Sequence, residues 1–224
     1  MKLEEIIRDV RSTINEATPR FYDDNDLIRW INEAIKDVAR KSEFLQVKTT
    51  IAVTAGTSEY TMPADILRAT VIQFVTTASP TQVYKLQYVD IQSVDDFYGM
   101  TPSTQGPPVL YTLFGFPPNL KVTLYPTPSE DGTLTVYYYQ GPDVIDTPSS
   151  DVAIPDTWAD LIGKYATYRA LLKDRDPAWQ VFKSIYDNDL ADMIALTRRF
   201  SDQAGMVTAG SGSLVPRHLW DWDY

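Results

Sequence analysis

The sequence predicts an α+β protein. Helices from the two ends of the chain, two N-terminal and two C-terminal, form one four-helix body; a small antiparallel β-sandwich or barrel is inserted between them, and an extended C-terminal tail completes the chain. Three observations predict this. Apolar residues recur at three- and four-residue spacings up to residue 45 and again over 154–200; between these stretches they alternate with polar ones; after Phe200 no period survives. The expected units are therefore 1–45, 46–153, 154–200 and a flexible arm, 201–224.

The first helix is expected over Leu3 to Ala17. Leu3, Ile6, Ile7, Val10, Ile14 and Ala17 share one narrow face, and Thr18-Pro19 ends it. The acidic cluster Asp23-Asp24-Asn25-Asp26 precedes a second helix, Leu27 to about Phe44, with Leu27, Trp30, Ile31, Ala34, Ile35 and Val38 on its apolar face. Carboxylates there are expected to cap free N–H groups and oppose the dipole. A calcium loop is disfavoured, because the central Gly and distal Glu are missing.

From Gln46 the composition moves to Val, Thr, Tyr and Pro, and the period becomes two. Strands are expected at Val47–Val53, Glu59–Met62, Ala69–Val75, Val83–Val89, Val109–Phe114, Leu120–Tyr125 and Thr133–Tyr139. A short helix at Ile91–Tyr98 and a loop from Gly99 to Pro108 interrupt them, and a turn-rich passage, Gln140 to Ile154, leads back to the helices.

Pro155 suits a first helical turn, where its missing N–H costs nothing. Trp158, Leu161, Ile162, Tyr165, Tyr168 and Leu172 then lie on one face. A second helix opens at Pro177 with Trp179, Phe182, Ile185, Tyr186, Leu190, Met193, Leu196 and Phe200 on a wide stripe, which requires more than one neighbour. The two make a hairpin turning at Lys173 to Asp176, and neither holds its shape alone. Arg169 falls in the middle of the first apolar face and Asp189 within the second. Buried charges are rarely left unpaired, so these two are expected to form a salt bridge across the hairpin or to meet a neighbouring subunit, unless the long Arg169 side chain snorkels to solvent; each is a helix-packing or interface role rather than a catalytic one.

At 224 residues the chain has room for a sizeable core. No run reaches the ~18 apolar residues of a membrane helix, and the start, MKLEEIIRDV, is unlike a secretory signal. There is no cysteine and one histidine, His218, so zinc chemistry is disfavoured and no cofactor is expected. The formal charge is −10, with 20 Lys plus Arg against 30 Asp plus Glu and no basic cluster, so nucleic acid should be repelled. No phosphate loop, nucleophile elbow or HExxH occurs, and the carboxylate pairs Asp187 with Asp189 and Asp23 with Asp26 read as solvated faces or caps.

After SDQAGMVTAGSGS comes LVPRHLWDWDY. Leu214, Val215, Pro216, Leu219, Trp220, Trp222 and Tyr224 put large apolar groups on a tether, whose natural destination is a pocket on another protein. The alternative is a cloning scar, since Leu214 to Arg217 resembles a thrombin site, although His218 stands where that site has Gly.

Several phrases come in a telling order: Leu27-Ile28-Arg29-Trp30-Ile31-Asn32-Glu33-Ala34; Ala55 through Asp65 (AGTSEYTMPAD); Leu124-Tyr125-Pro126-Thr127-Pro128; Tyr137-Tyr138-Tyr139; and Ile154-Pro155-Asp156. Over roughly residues 1 to 200 the chain resembles the head-to-tail adaptor (connector) proteins of tailed double-stranded-DNA phages, including the tail tubular ring protein of short-tailed phages. The resemblance implies a non-enzymatic virion protein at the head–tail interface, assembled in the host cytoplasm as a ring, usually of twelve copies. Its implied partners are further copies of itself, the portal protein above, a tail or nozzle protein below, and DNA sliding through an acidic channel, with no membrane. The helical body would form the wall, the β module would face the tail, and the arm would grip the portal. Two competing readings are a cell-wall-degrading ring protein, for which only carboxylate pairs speak, and a glycan-binding module on Tyr111 and Tyr137 to Tyr139.

Overall fold

The computed structural model describes residues 1–16, 21–98 and 104–207, with the backbone alone at 95–98 and 200–207. Helix α1 (Leu3–Thr13) is shorter than expected, because Asn15 turns into the left-handed region at φ 56° and stops it. Helix α2 (Asp24–Ser42) begins earlier than expected: the acidic cluster forms its first turn instead of preceding it. Asp23 sits at the N-cap, but its carboxylate accepts from Asn25 Nδ2 (3.0 Å) and not from a helix N–H. Glu43, at φ 52°, ends α2.

The C-terminal hairpin is α4 (Ala159–Asp174) and α5 (Trp179–Val207), with Arg175 turning at φ 59°. Pro155 precedes a 3₁₀ turn, Asp156–Trp158, so α4 opens four residues beyond the proline expected in its first turn. Helices α1, α2, α4 and α5 share one core, in which Leu3, Ile6, Leu27, Ile31, Leu161 and Ile162 are fully buried. Each such side chain contributes about 1.5–3 kcal/mol, which is what holds an eleven-residue α1 that is too short to persist alone. The buried face of α4 differs from the expected one. Ala159, Ala166 and Ala170 are buried while Leu172 is 41% exposed, because α4 touches α1, α2 and α5 and small residues allow that approach.

The β region contains two four-stranded sheets. One has the order β1-β10-β3-β4, from β1 (Gln46–Val53), β3 (Ile66–Thr76), β4 (Val83–Lys85) and β10 (Gly132–Gln140). The other runs β2-β8-β7-β5, from β2 (Glu59–Thr61), β5 (Gln87–Tyr88), β7 (Leu110–Phe114) and β8 (Lys121–Tyr125). Alternation sends Val53, Leu134, Ile72 and Phe74 of the first and Val122, Leu124 and Tyr111 of the second into one shared core. Helix α3 (Ile91–Tyr98) adds Val94 to a smaller cluster with Leu110 and Tyr125. Gly132 is required where it stands, since a Cβ there would lie 2.5 Å from the Phe74 ring.

Two expectations for this region fail. The strand expected over Val83–Val89 is split at Leu86, which is buried and donates its N–H to Ile72 O at 2.9 Å; the next N–H, of Gln87, goes to Val109 O at 2.9 Å. The chain therefore changes sheets there. The pairing is also not wholly antiparallel: β5 runs parallel to β7, and β6 (Gln105–Gly106), inside the expected loop, runs parallel to β9 (Thr127–Pro128).

The chain leaves and rejoins the helices at adjacent points. Gln140 N–H donates to Leu45 O at 2.8 Å, and Arg68 of β3 forms a two-pronged pair with Glu43. The passage after Gln140 then caps α1, whose Leu3 and Glu4 N–H groups donate to Ser150 O (3.1 Å) and Pro148 O (3.0 Å).

Candidate interaction surfaces

Arg169 and Asp189 do not meet. Arg169 Nη2 lies 3.1 Å from Glu33 Oε2 and links α4 to α2, whereas Asp189 pairs with Lys164 Nζ at 2.5 Å and links α5 to α4. Their side chains are 34% and 32% exposed, so solvent screens both pairs.

Four polar residues within or beside the helical core carry more structure than their sequence context revealed. Asn32 lies on the buried side of α2; its Nδ2 donates to Ile145 O (2.7 Å) and its Oδ1 accepts from Ile145 N–H (2.8 Å). This clasp holds the passage returning from the β module. Arg11 is buried and ties α1 to α2 through Tyr22 O (3.0 Å) and Asp24 Oδ1 (2.5 Å). Asp37 accepts from Tyr186 Oη at 2.8 Å and pairs with Lys41 at 2.6 Å. Burial raises the Asp37 pKa, but hydrogen bonds from Lys41, Tyr186 and Arg40 outweigh it and hold the carboxyl below its ordinary value. Lys173 bonds Asp26 at 2.6 Å beneath the rings of Phe21, Tyr22 and Trp30; that hydrogen bond is the first cause of a lowered Asp26 pKa. Each of these residues sits at or beside a helical stripe, and its partner comes from a distant segment, so no local spacing flags it.

Large apolar groups are exposed at several places, two of them on elements that project a series of such side chains. On α5, Val181 is 60% exposed, and two residues of the wide stripe, Ile185 and Leu196, are 39% exposed. At the β7–β8 turn, Phe114 and Phe116 project, the latter 86% exposed. The apolar arm residues, Leu214, Val215, Pro216, Leu219, Trp220, Trp222 and Tyr224, lie outside the described residues.

Three of the four carboxylates of the two pairs are engaged with cations, Asp187 with Lys183, Asp189 with Lys164, and Asp26 with Arg29 and Lys173, while Asp23 accepts from Asn25. Among the described residues no cluster of three acidic or metal-ligating side chains is set to hold a metal, and no helix is long and apolar enough to cross a membrane.

The profile of the SU10 adaptor protein family matches residues 1–210. Among solved structures, a chain from the neck of an empty GTA particle computed with C6 symmetry is similar at 13% identity and a TM-score of 0.30, covering 75% of this chain and 76% of that one. A likeness of that size carries no functional weight. A comparison with curated proteins found no match.

Proposed function

The chain belongs to the SU10 adaptor protein family, and from that premise we propose that it is a structural phage virion protein, a head-to-tail adaptor that forms a ring of twelve copies between portal and tail. The family match across residues 1–210 carries the reading. On it, α1, α2, α4 and α5 act as one four-helix body, residues 1–45 with 154–200, and the two sheets act as a sandwich inserted at 46–153. The exposed Val181, Ile185 and Leu196 of α5 support a wall that meets a neighbour. The projecting Phe114 and Phe116 support a tail-facing tip on the β module.

Arg169 and Asp189 take the helix-packing role on this reading. The arm from 201 to 224 reaches the portal with Leu214, Val215, Pro216, Leu219, Trp220, Trp222 and Tyr224. DNA passes without specific binding, and the acidity of the β module, ten Asp and Glu against four Lys and Arg over 46–153, supports a channel that does not hold it. Particles are assembled in the host cytoplasm.

The test is co-sedimentation with portal particles, using the full chain and a chain ending at Ser201. The full chain is expected to pellet with portal as a ring and the shortened one to stay in the supernatant with its melting profile unchanged. A full chain that remains a lone monomer beside portal overturns the adaptor reading. A shortened chain that still pellets overturns the role of the arm.

A further inference from the structure

The sheet β1-β10-β3-β4 buries one face against the second sheet and leaves much of the other open to solvent, with Lys48, Thr50, Ala52, Val83 and Lys85 exposed, its middle positions half-buried and Thr135 buried. Beyond the row Gln46–Tyr139–Arg68 next to the helices, where Tyr139 is buried and Arg68 pairs with Glu43, its register sets three further outward rows across the strands, from Lys48 to Val71, from Thr50 to Lys85 and from Ala52 to Val83. These rows hold valine, threonine, tyrosine, glutamine, alanine and two lysines, and no carboxylate. In a region with ten acids and four bases that is a marked segregation. The other two bases are matched, Lys121 with Glu59 and Arg68 with Glu43, whereas Lys48 and Lys85 have no carboxylate partner among the described residues. Lys48 Nζ merely stands 5.7 Å from the Tyr137 ring.

We propose that this sheet face is a contact surface for a second copy of the chain, with Lys48 and Lys85 set against carboxylates of that copy. The inference deepens the ring reading and rests on it. Charge complementarity names the occupant. The rest of the chain carries the acidic surplus that leaves it at −10, so any neighbouring copy presents carboxylates. The face does not suit a copy of itself, because two-fold pairing would bring lysines onto lysines. Heterologous pairing, sheet face to a different acidic surface, avoids that and is the pairing that closes rings. Double-stranded DNA is the poorer occupant, since two lysines release only about two counterions and the valines gain nothing from phosphate. Four strands at ~4.8 Å by six residues at ~3.4 Å cover roughly 400 Å², about half of one partner's share of a stable interface, so the face is one part of the subunit contact.

The absence of cysteine makes the test clean. Thr50→Cys introduces a unique thiol on the exposed edge strand, to be labelled with a benzophenone maleimide and irradiated in rings assembled on portal. The expected cross-link joins Thr50→Cys to an acid-bearing peptide of another copy of the same chain. Lys48→Glu with Lys85→Glu should raise the concentration needed for assembly about tenfold, and Lys36→Glu, a single charge reversal on an exposed position of α2, should not. Unchanged melting curves show that the variants fold. Cross-links to portal, to another protein or to DNA, a label that stays open to solvent in the ring, or normal assembly of the double variant would each overturn the inference while leaving the ring reading standing. A wild-type chain that never assembles removes both.

Discussion

The helical region and the β region handle charge in opposite ways. Among the described residues almost every ion pair lies in the helical region, and several join separate helices: Arg11 with Asp24, Arg169 with Glu33, Lys164 with Asp189 and Lys173 with Asp26. The β region has one pair of its own, Lys121 with Glu59, and shares a second, Arg68 with Glu43, with the helical region. Apart from Glu59, its acids form no ion pair among the described residues, although Asp131 and Asp65 accept hydrogen bonds from Ala55 N–H and Tyr138 Oη, and its unmatched lysines share one face. One region uses charge to fix its own packing, and the other keeps charge available for what it meets.

That contrast can be broken first at the cores. Phe74→Ala should cost about 3–5 kcal/mol, and its unfolding followed by tyrosine fluorescence should precede loss of helical circular dichroism if the two cores melt separately; a single coincident transition would show them to be one cooperative unit. Asn32→Ala comes next. It strands the buried N–H and C=O of Ile145 and should cost about 2–4 kcal/mol in denaturant melts, with a loss of helix that a surface substitution would not produce.

Acid offers a milder probe. Asp37 and Asp26 have folded pKa values below the ordinary 3.8. A depressed carboxyl contributes stability that is complete above the unfolded value and is lost as pH falls through the folded one. Helical content should therefore become easier to melt below about pH 4, and Asp37→Asn should flatten that dependence. The smallest effect is expected from Arg169→Ala. Its pair with Glu33 is a third exposed, so a chemical melt should shift by no more than about 1 kcal/mol. A larger loss confined to the assembled ring would move Arg169 from helix packing to the subunit contact.

The same contrast explains what could be read in advance. The α2 face, Leu27 to Val38, and the inward strand positions, Ile72 with Phe74 and Leu134 with Val136, follow from periods of 3.6 and two, because one-sided burial imposes them. Three features needed tertiary partners. The break at Leu86 depends on which sheet edge is free to receive Gln87. The buried face of α4 is decided by three neighbours, so alanines went inside while Leu172 went out. The Asn32 clasp joins residues 113 apart in sequence, beyond the reach of any periodicity. Arg169 and Asp189 looked buried because a helical projection cannot show how wide the gap beside them is. Of the proposed contact surfaces, the sheet face required the register, since it is the cross-strand alignment of Thr50, Thr135, Gln73 and Lys85 beside Lys48, Tyr137 and Val71 that puts the two lysines on one face.

The neck at Leu45 and Gln140 has a mechanical consequence. Because the outgoing and returning strands are hydrogen-bonded neighbours, any pull on the β region enters the helices at a single point and divides there into two anchors. One runs through Glu43 and Arg68 into the end of α2, and the other through Ile145 and Asn32 into its middle. Force applied at the far tip thus reaches α2 at two places about eleven residues apart, roughly 16 Å along its axis, before the same returning passage meets the start of α1.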